Sequence, residues 1–176
     1  FRRRSRIGER RLLVFRRQSR RSLGSVIYGS ARFHCWKSQG HGSVNVIQAL
    51  EQSCDVYFYK LATEIGINKI AEVARKLGLG QLYGFDLPEE RSGLMPDEAW
   101  KLGTLGKKWR PGDTIISSIG QGTILTTPLQ LAVMTARLTN GGYSVYPWMY
   151  KKRANINDAP EHLGFKKEYL DIIRKG

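Results

Sequence analysis

The chain has 176 residues and a mass of 20.0 kDa, room for one domain of ordinary size or for part of a larger one. Its 41% apolar and 25% charged content fits a globular protein and argues against disorder over most of the length. No apolar stretch nears the roughly 20 residues of a membrane-spanning helix, no signal-peptide pattern opens the chain, and two cysteines are too few for a disulfide framework.

The formal net charge of +14 is localised, because residues 1–22 hold ten arginines and one glutamate while the remaining 154 positions carry only +5. Such an arginine-rich segment suits contact with phosphates or an anionic membrane surface. No aromatic platform or groove-reading motif accompanies it, so a nucleic acid is not an expected partner. A solvated tail, or a segment translated in a shifted reading frame, is the simpler explanation.

Gly40-His41-Gly42-Ser43 reads as a turn-like junction, after which apolar periodicity begins. Val46, Ile47, Ala49 and Leu50 predict a short helix ending near Ser53. A second helix is expected from about Asp55, whose carboxylate is placed to satisfy free amides at the helix start. In it Phe58, Leu61, Ala62 and Ile65 form one apolar stripe, and Gly66 ends it. Ile70, Val73, Ala74 and Leu77 repeat the spacing in a third helix stopped by Gly78 and Gly80.

Residues 81–118 are rich in Gly and Pro and read as long ordered loops. Beyond them Thr127 is a good N-cap, Pro128 suits the first helical position, and Gln130 can reach back as in a capping box. That helix is expected to run to about Leu138 and to be deeply buried, because its apolar residues lie on more than one face. A last helix is expected over residues 167–173, and there is no internal repeat.

Three constellations can carry chemistry. Ser53-Cys54-Asp55 places a hydroxyl and a carboxylate two apart at a helix junction, a spacing that at a bend can direct both into one cleft. Taken alone, it is more simply a helix cap. Cys35, His41 and Cys54 bring two thiols and an imidazole into a 20-residue window, donors that suit tetrahedral zinc. Two buried thiols beside a surface histidine, or a Cys35–Cys54 disulfide in an oxidising compartment, remain open. Gly120-Gln121-Gly122 before a capped helix lacks the lysine and spacing of a phosphate loop and reads as a tight turn allowing close backbone approach.

Together, several segments resemble the transpeptidase domain of the penicillin-binding protein 2 family. They are Arg32-Phe33-His34-Cys35-Trp36-Lys37, Gly40-His41-Gly42, Ala49 through Tyr59, Gly84 through Gly93, and Trp109-Arg110-Pro111-Gly112-Asp113-Thr114. Ser118-Ile119-Gly120-Gln121-Gly122 and Thr127-Pro128-Leu129-Gln130-Leu131-Ala132 complete a collinear series. The resemblance is dense from about Ser30 to Gly142. It divides the chain into an Arg-rich segment over 1–29 and a partial transpeptidase domain over 30–176.

The resemblance implies the α/β (α+β) fold shared with serine β-lactamases, here mostly its helical subdomain, with apolar surface left bare where the sheet would pack. It implies a class B D,D-transpeptidase of cell elongation at the periplasmic face of the bacterial inner membrane. Peptidoglycan stem peptides, β-lactams and the elongation machinery are then the expected partners, and the chemistry needs no cofactor. Three motifs carry that chemistry: Ser-x-x-Lys, Ser-x-Asn or Ser-x-Asp, and Lys-Thr-Gly.

Ser53-Cys54-Asp55 matches the second motif, with Ser53 relaying protons and Asp55 positioning a lysine and the substrate amide. Cys35, His41 and Cys54 match three positions of a structural zinc site that some family members carry, and its fourth ligand, an upstream Cys or Asp, would fall near Arg20. No Ser-x-x-Lys or Lys-Thr-Gly occurs in these residues. Lys101-Leu102-Gly103 is out of order and is expected in a loop. A chain without the nucleophile motif is expected to be inactive by itself, either as a remnant of the enzyme or as a non-catalytic binding or scaffold module.

Overall fold

The computed structural model describes residues 19–84, 89–148 and 159–176. Most of the Arg-rich segment, and residues 85–88 within the Gly84–Gly93 motif, lie outside them. Four short strands open the described chain: β1 (Arg20–Ser22), β2 (Ser25–Tyr28), β3 (Ala31–His34) and β4 (Gly42–Val44). β2 and β3 form an antiparallel hairpin in register Tyr28↔Ala31 to Ser25↔His34, and β1 pairs antiparallel with β4 through Ser22↔Gly42. The β-prone run Val26-Ile27-Tyr28 before the turn at Gly29-Ser30 is the local signal for that hairpin, and it was not among the expected elements. The paired strands begin at Arg20, inside the segment set apart by its charge.

The helices follow: α1 (Val46–Glu51), α2 (Asp55–Ile65), α3 (Ile67–Lys76), α4 (Glu98–Leu105), α5 (Pro111–Ser117), α6 (Pro128–Thr139) and α7 (Lys167–Lys175). α1 opens on a capping box in which Asn45 and Gln48 exchange side-chain and backbone bonds. The capping box of α6 is formed as expected, with Thr127 Oγ1 accepting from Gln130 N at 3.2 Å and Gln130 Oε1 accepting from Thr127 N at 3.3 Å.

One core surrounds α2. Val56, Tyr57, Tyr59, Cys54 and Ala49 pack there with Cys35, Val44 and Ile115. A smaller cluster of Ile67, Ala71 and Met95 lies under α3.

Four expectations about these elements need correction. Residues 81–118 are not continuous loop, because α4 and α5 lie within them. Asp97 caps α4 by accepting from Trp100 N at 2.8 Å, Gly106 ends it in the left-handed region, and Pro111 opens α5. Lys101-Leu102-Gly103 is therefore helical, and Lys101 forms an ion pair with Asp113.

The stripe on α2 is broader than the spacing suggests: Tyr57 and Tyr59 are buried while Ile65 is exposed. α3 starts at Ile67 and buries Ile67 and Ala71, leaving Val73 44% exposed. α6 is not buried all round, since its buried residues are Gln130, Val133 and Arg137 and Leu131 is 43% exposed.

Two of those buried α6 residues are polar clamps. Gln130, with no exposed surface, donates through Nε2 to Gln81 O at 2.9 Å and Ser92 O at 2.7 Å. Arg137 donates to Lys76 O at 2.8 Å and Val145 O at 3.0 Å. They tie the segments around Gln81, Ser92 and Val145 and the end of α3 to one helix, and give the two buried polar side chains hydrogen-bond partners.

Candidate active site

The site is built where two loops meet the start of α2. The segment from Cys35 to His41 leaves β3 and returns into β4, and the turn of residues 52–54 separates α1 from α2. Gly40, at φ +79, lets the first loop close on β1; a Cβ there would stand 2.2 Å from Ser22 O. Cys35 N donates to Gly24 O at 2.7 Å, which seats the buried Cys35 thiol against the core.

Ser53 has φ +49 and is the single non-glycine residue in the left-handed region among the described residues. For a serine this costs about 1–2 kcal/mol, so the surrounding contacts must hold it there. Its side chain is exposed and faces an open cleft of about 630 Å³ lined by Trp36, Lys37, His41, Glu51, Gln52 and Ser53. The cap expectation is corrected here. Cys54 occupies the N-cap position of α2 without a side-chain cap bond. Asp55 turns away from its own helix and accepts from Trp36 N through Oδ2 at 3.0 Å. The two polar side chains of Ser-x-Asp are thus released from helix capping.

Cys54, between them, points inward to Cys35 and His41, and the three ligand atoms lie within 4.8 Å of one another. Cys35 Sγ is 3.6 Å from His41 Nδ1, and both cysteines are free thiols, not a disulfide. Burial pushes the Cys54 thiol up, with the hydroxyl of Ser22 partly opposing it. His41 Nε2 is buried with no hydrogen-bond partner. Two sulfurs and an imidazole in this spacing fit three corners of a zinc tetrahedron. Among the described residues no fourth Cys, His, Asp or Glu joins the cluster; Arg20 instead binds Glu64, and Ser22 is the polar side chain beside Cys54.

Gly120-Gln121-Gly122 lies apart from this cluster. A Cβ on Gly122, at φ +81, would meet Ile116 Cγ2 at 3.0 Å, as a close-approach turn requires. Spacing alone did not reveal Trp36. Its indole Nε1 donates to the carbonyls of Gln52 at 3.1 Å and Ser53 at 2.9 Å, a contact that arises only when the two loops come together.

A sequence model of the penicillin binding protein transpeptidase domain matches residues 16–176. The peptidoglycan D,D-transpeptidase MrdA of Acinetobacter baumannii is 44% identical over 163 residues, which cover 84% of this chain and 24% of that protein. MrdA of Escherichia coli K12 is 42% identical over 123 residues, covering 70% of this chain and 19% of that protein.

Among solved structures, the Pseudomonas aeruginosa penicillin-binding protein PBP2 in complex with WCK 5153 superposes with a TM-score of 0.81 at 31% identity, covering 90% of this chain and 38% of that one. PBP2 of Helicobacter pylori in complex with MreC gives 0.79 at 35% identity, covering 91% and 30%. The chain belongs to the penicillin-binding protein transpeptidase family. It spans about a fifth to a quarter of the length of the two MrdA proteins, and it has the α/β fold of that family.

Proposed function

We propose that this chain is the middle portion of a D,D-transpeptidase domain that cross-links peptidoglycan during cell elongation, and that Ser53-Cys54-Asp55 is the second of its three active-site motifs. Residues 30–176 form the body of that portion, with the family match reaching back to residue 16. One observation carries the proposal: a serine in a strained left-handed turn, exposed to a cleft, with an aspartate two residues on that caps nothing.

The chemistry proceeds through an acyl-enzyme. The serine of a Ser-x-x-Lys motif attacks the penultimate D-Ala carbonyl of a stem peptide, the bond to the terminal D-Ala breaks, and an acceptor amine then displaces the serine. Ser53 Oγ passes a proton between lysine amines and the departing amine, while Asp55 orients a lysine and the substrate amide. Periplasmic location, β-lactam binding and contact with elongation proteins belong to the same proposal. MreC on the Helicobacter pylori relative is the precedent for the last of these.

These 176 residues contain neither Ser-x-x-Lys nor Lys-Thr-Gly, so the purified chain alone forms no acyl-enzyme. Incubation with a fluorescent penicillin followed by a denaturing gel is expected to leave it unlabelled, and a labelled band overturns the assignment of the chemistry to segments outside these residues.

Cys35, His41 and Cys54 are proposed to hold a structural zinc ion. Bound there, zinc supplies a staple between the 35–41 loop and the Ser53–Asp55 turn, and the acyl transfer itself uses no cofactor. With Ser22 beside the cluster in place of a fourth strong ligand, the affinity is expected to fall below that of a four-ligand site. Metal analysis of protein purified without chelators checks this, and a stoichiometry near zero removes the zinc proposal.

A further inference from the structure

We infer that Trp36 is the positioning residue of the Ser53–Asp55 pair, an inference that rests on the Ser-x-Asp assignment above. The Gln52 carbonyl lies in the peptide plane that sets φ of Ser53, and the Ser53 carbonyl lies in the plane that sets its ψ. The Trp36 indole N–H bonds both carbonyls, at 3.1 and 2.9 Å, and so grips both planes of one strained residue. The Trp36 main-chain N–H takes Asp55 Oδ2 at 3.0 Å. A single residue therefore fixes the backbone at the serine and the carboxylate at the aspartate.

The turn's own bonds run elsewhere: Ser53 N donates to Leu50 O and Cys54 N to Ala49 O. They secure the amides and leave the carbonyls of residues 52 and 53 to the indole. An indole kept for packing would be buried, whereas this one is 67% exposed and spends its polar edge on the turn. Its ring edge meets His41 at 5.4 Å between centroids, and Cys35 beside it is anchored in the core. The clamp is thus mounted on the 35–41 loop rather than on the helix it controls. Without the indole donor Ser53 can leave the left-handed region, and its hydroxyl is aligned for a smaller share of the time. The acylation step slows while ligand affinity changes little.

The substitution Trp36→Phe keeps an aromatic ring and the backbone N–H to Asp55, and removes the indole donor together with the smaller ring that carries it. Two measurements test it. In the full chain labelled with ¹⁵N-tryptophan, the Trp36 indole proton is expected to exchange at least tenfold more slowly than that of free indole despite its exposure. Exchange at the free rate overturns the clamp.

For the chemistry, this chain is exchanged for the matching segment of the Acinetobacter baumannii relative, and acylation by a fluorescent penicillin is followed. Trp36→Phe is expected to lower the first-order acylation constant about tenfold with little change in penicillin affinity, and to cause no further loss when added to Ser53→Ala. An unchanged constant, or an equal loss in the Ser53→Ala background, overturns the positioning role. If Ser53→Ala alone leaves acylation intact, the Ser-x-Asp assignment fails instead, a result that Trp36→Phe cannot mimic. The exchange measurement stands whether or not the exchanged protein is active.

Discussion

Two regions of the molecule bury polar groups, and they use them differently. Around α6, Gln130 donates both its amide hydrogens to carbonyls and accepts from Thr127 N at its oxygen, and Arg137 donates to two carbonyls and lies over the Tyr146 ring. Around the start of α2, His41 Nε2 finds no partner, two free thiols sit together, and a serine holds a conformation that costs energy. The clamps on α6 spend their amide and Nη donors on carbonyls across the fold, leaving Arg137 Nε as the one atom of the two that has no partner. Groups left unmatched beside a cleft are available to a ligand.

The first way to break this contrast is to remove a clamp. Arg137→Met deletes a buried guanidinium and strands the carbonyls of Lys76 and Val145. A loss of about 3 kcal/mol is expected in urea unfolding. The response to zinc sharpens the contrast from the other side. At zinc one hundred times its dissociation constant, the stability of the chain should rise by about 2.7 kcal/mol, and that gain should vanish in Cys54→Ala. Should Arg137→Met also abolish the zinc response, the two regions are not independent. A smaller effect belongs to Thr127→Ala, which removes the cap of α6 and should cost about 1 kcal/mol without touching the zinc response.

The same contrast explains what the sequence made legible. α6 was readable because its signals are local: a capping threonine, a proline at the first position and a glutamine three residues after the cap all lie within four residues. α4 and α5 carry similar local signals in Asp97 and Pro111, but the glycines and prolines around them spoke more strongly for loops. Burial was less legible than helicity. The faces of α2, α3 and α6 depend on which neighbours arrive, and Leu131 and Val73 are left largely exposed.

At the site, the residue types were visible in Ser53, Asp55, Cys35, His41 and Cys54, and the structure brings all five to one corner. Trp36 was not visible as a clamp, because its acceptors are backbone carbonyls, which no side-chain spacing encodes.

The smallest expected effect concerns the ion pair that links β1, the strand bearing Ser22, to α2. Arg20 Nη2 donates to Glu64 Oε2 at 2.9 Å, and the bond to Arg20, followed by its charge, holds the Glu64 carboxyl below the usual 4.5 against an opposing push from burial. The folded value is thus lower than the unfolded one, so the pair contributes its stability above about pH 4.5 and loses it as pH falls through the folded value. Because the Glu64 side chain is 47% exposed, solvent screening limits the contribution to about 0.5 kcal/mol. Glu64→Gln should therefore be less stable than the parent by that amount at pH 7, and the gap should close in strong acid. High salt should narrow it at pH 7 as well. A gap that persists in acid would mean that Glu64 holds the strand by packing, and β1 would then owe its place beside the thiols to shape rather than charge.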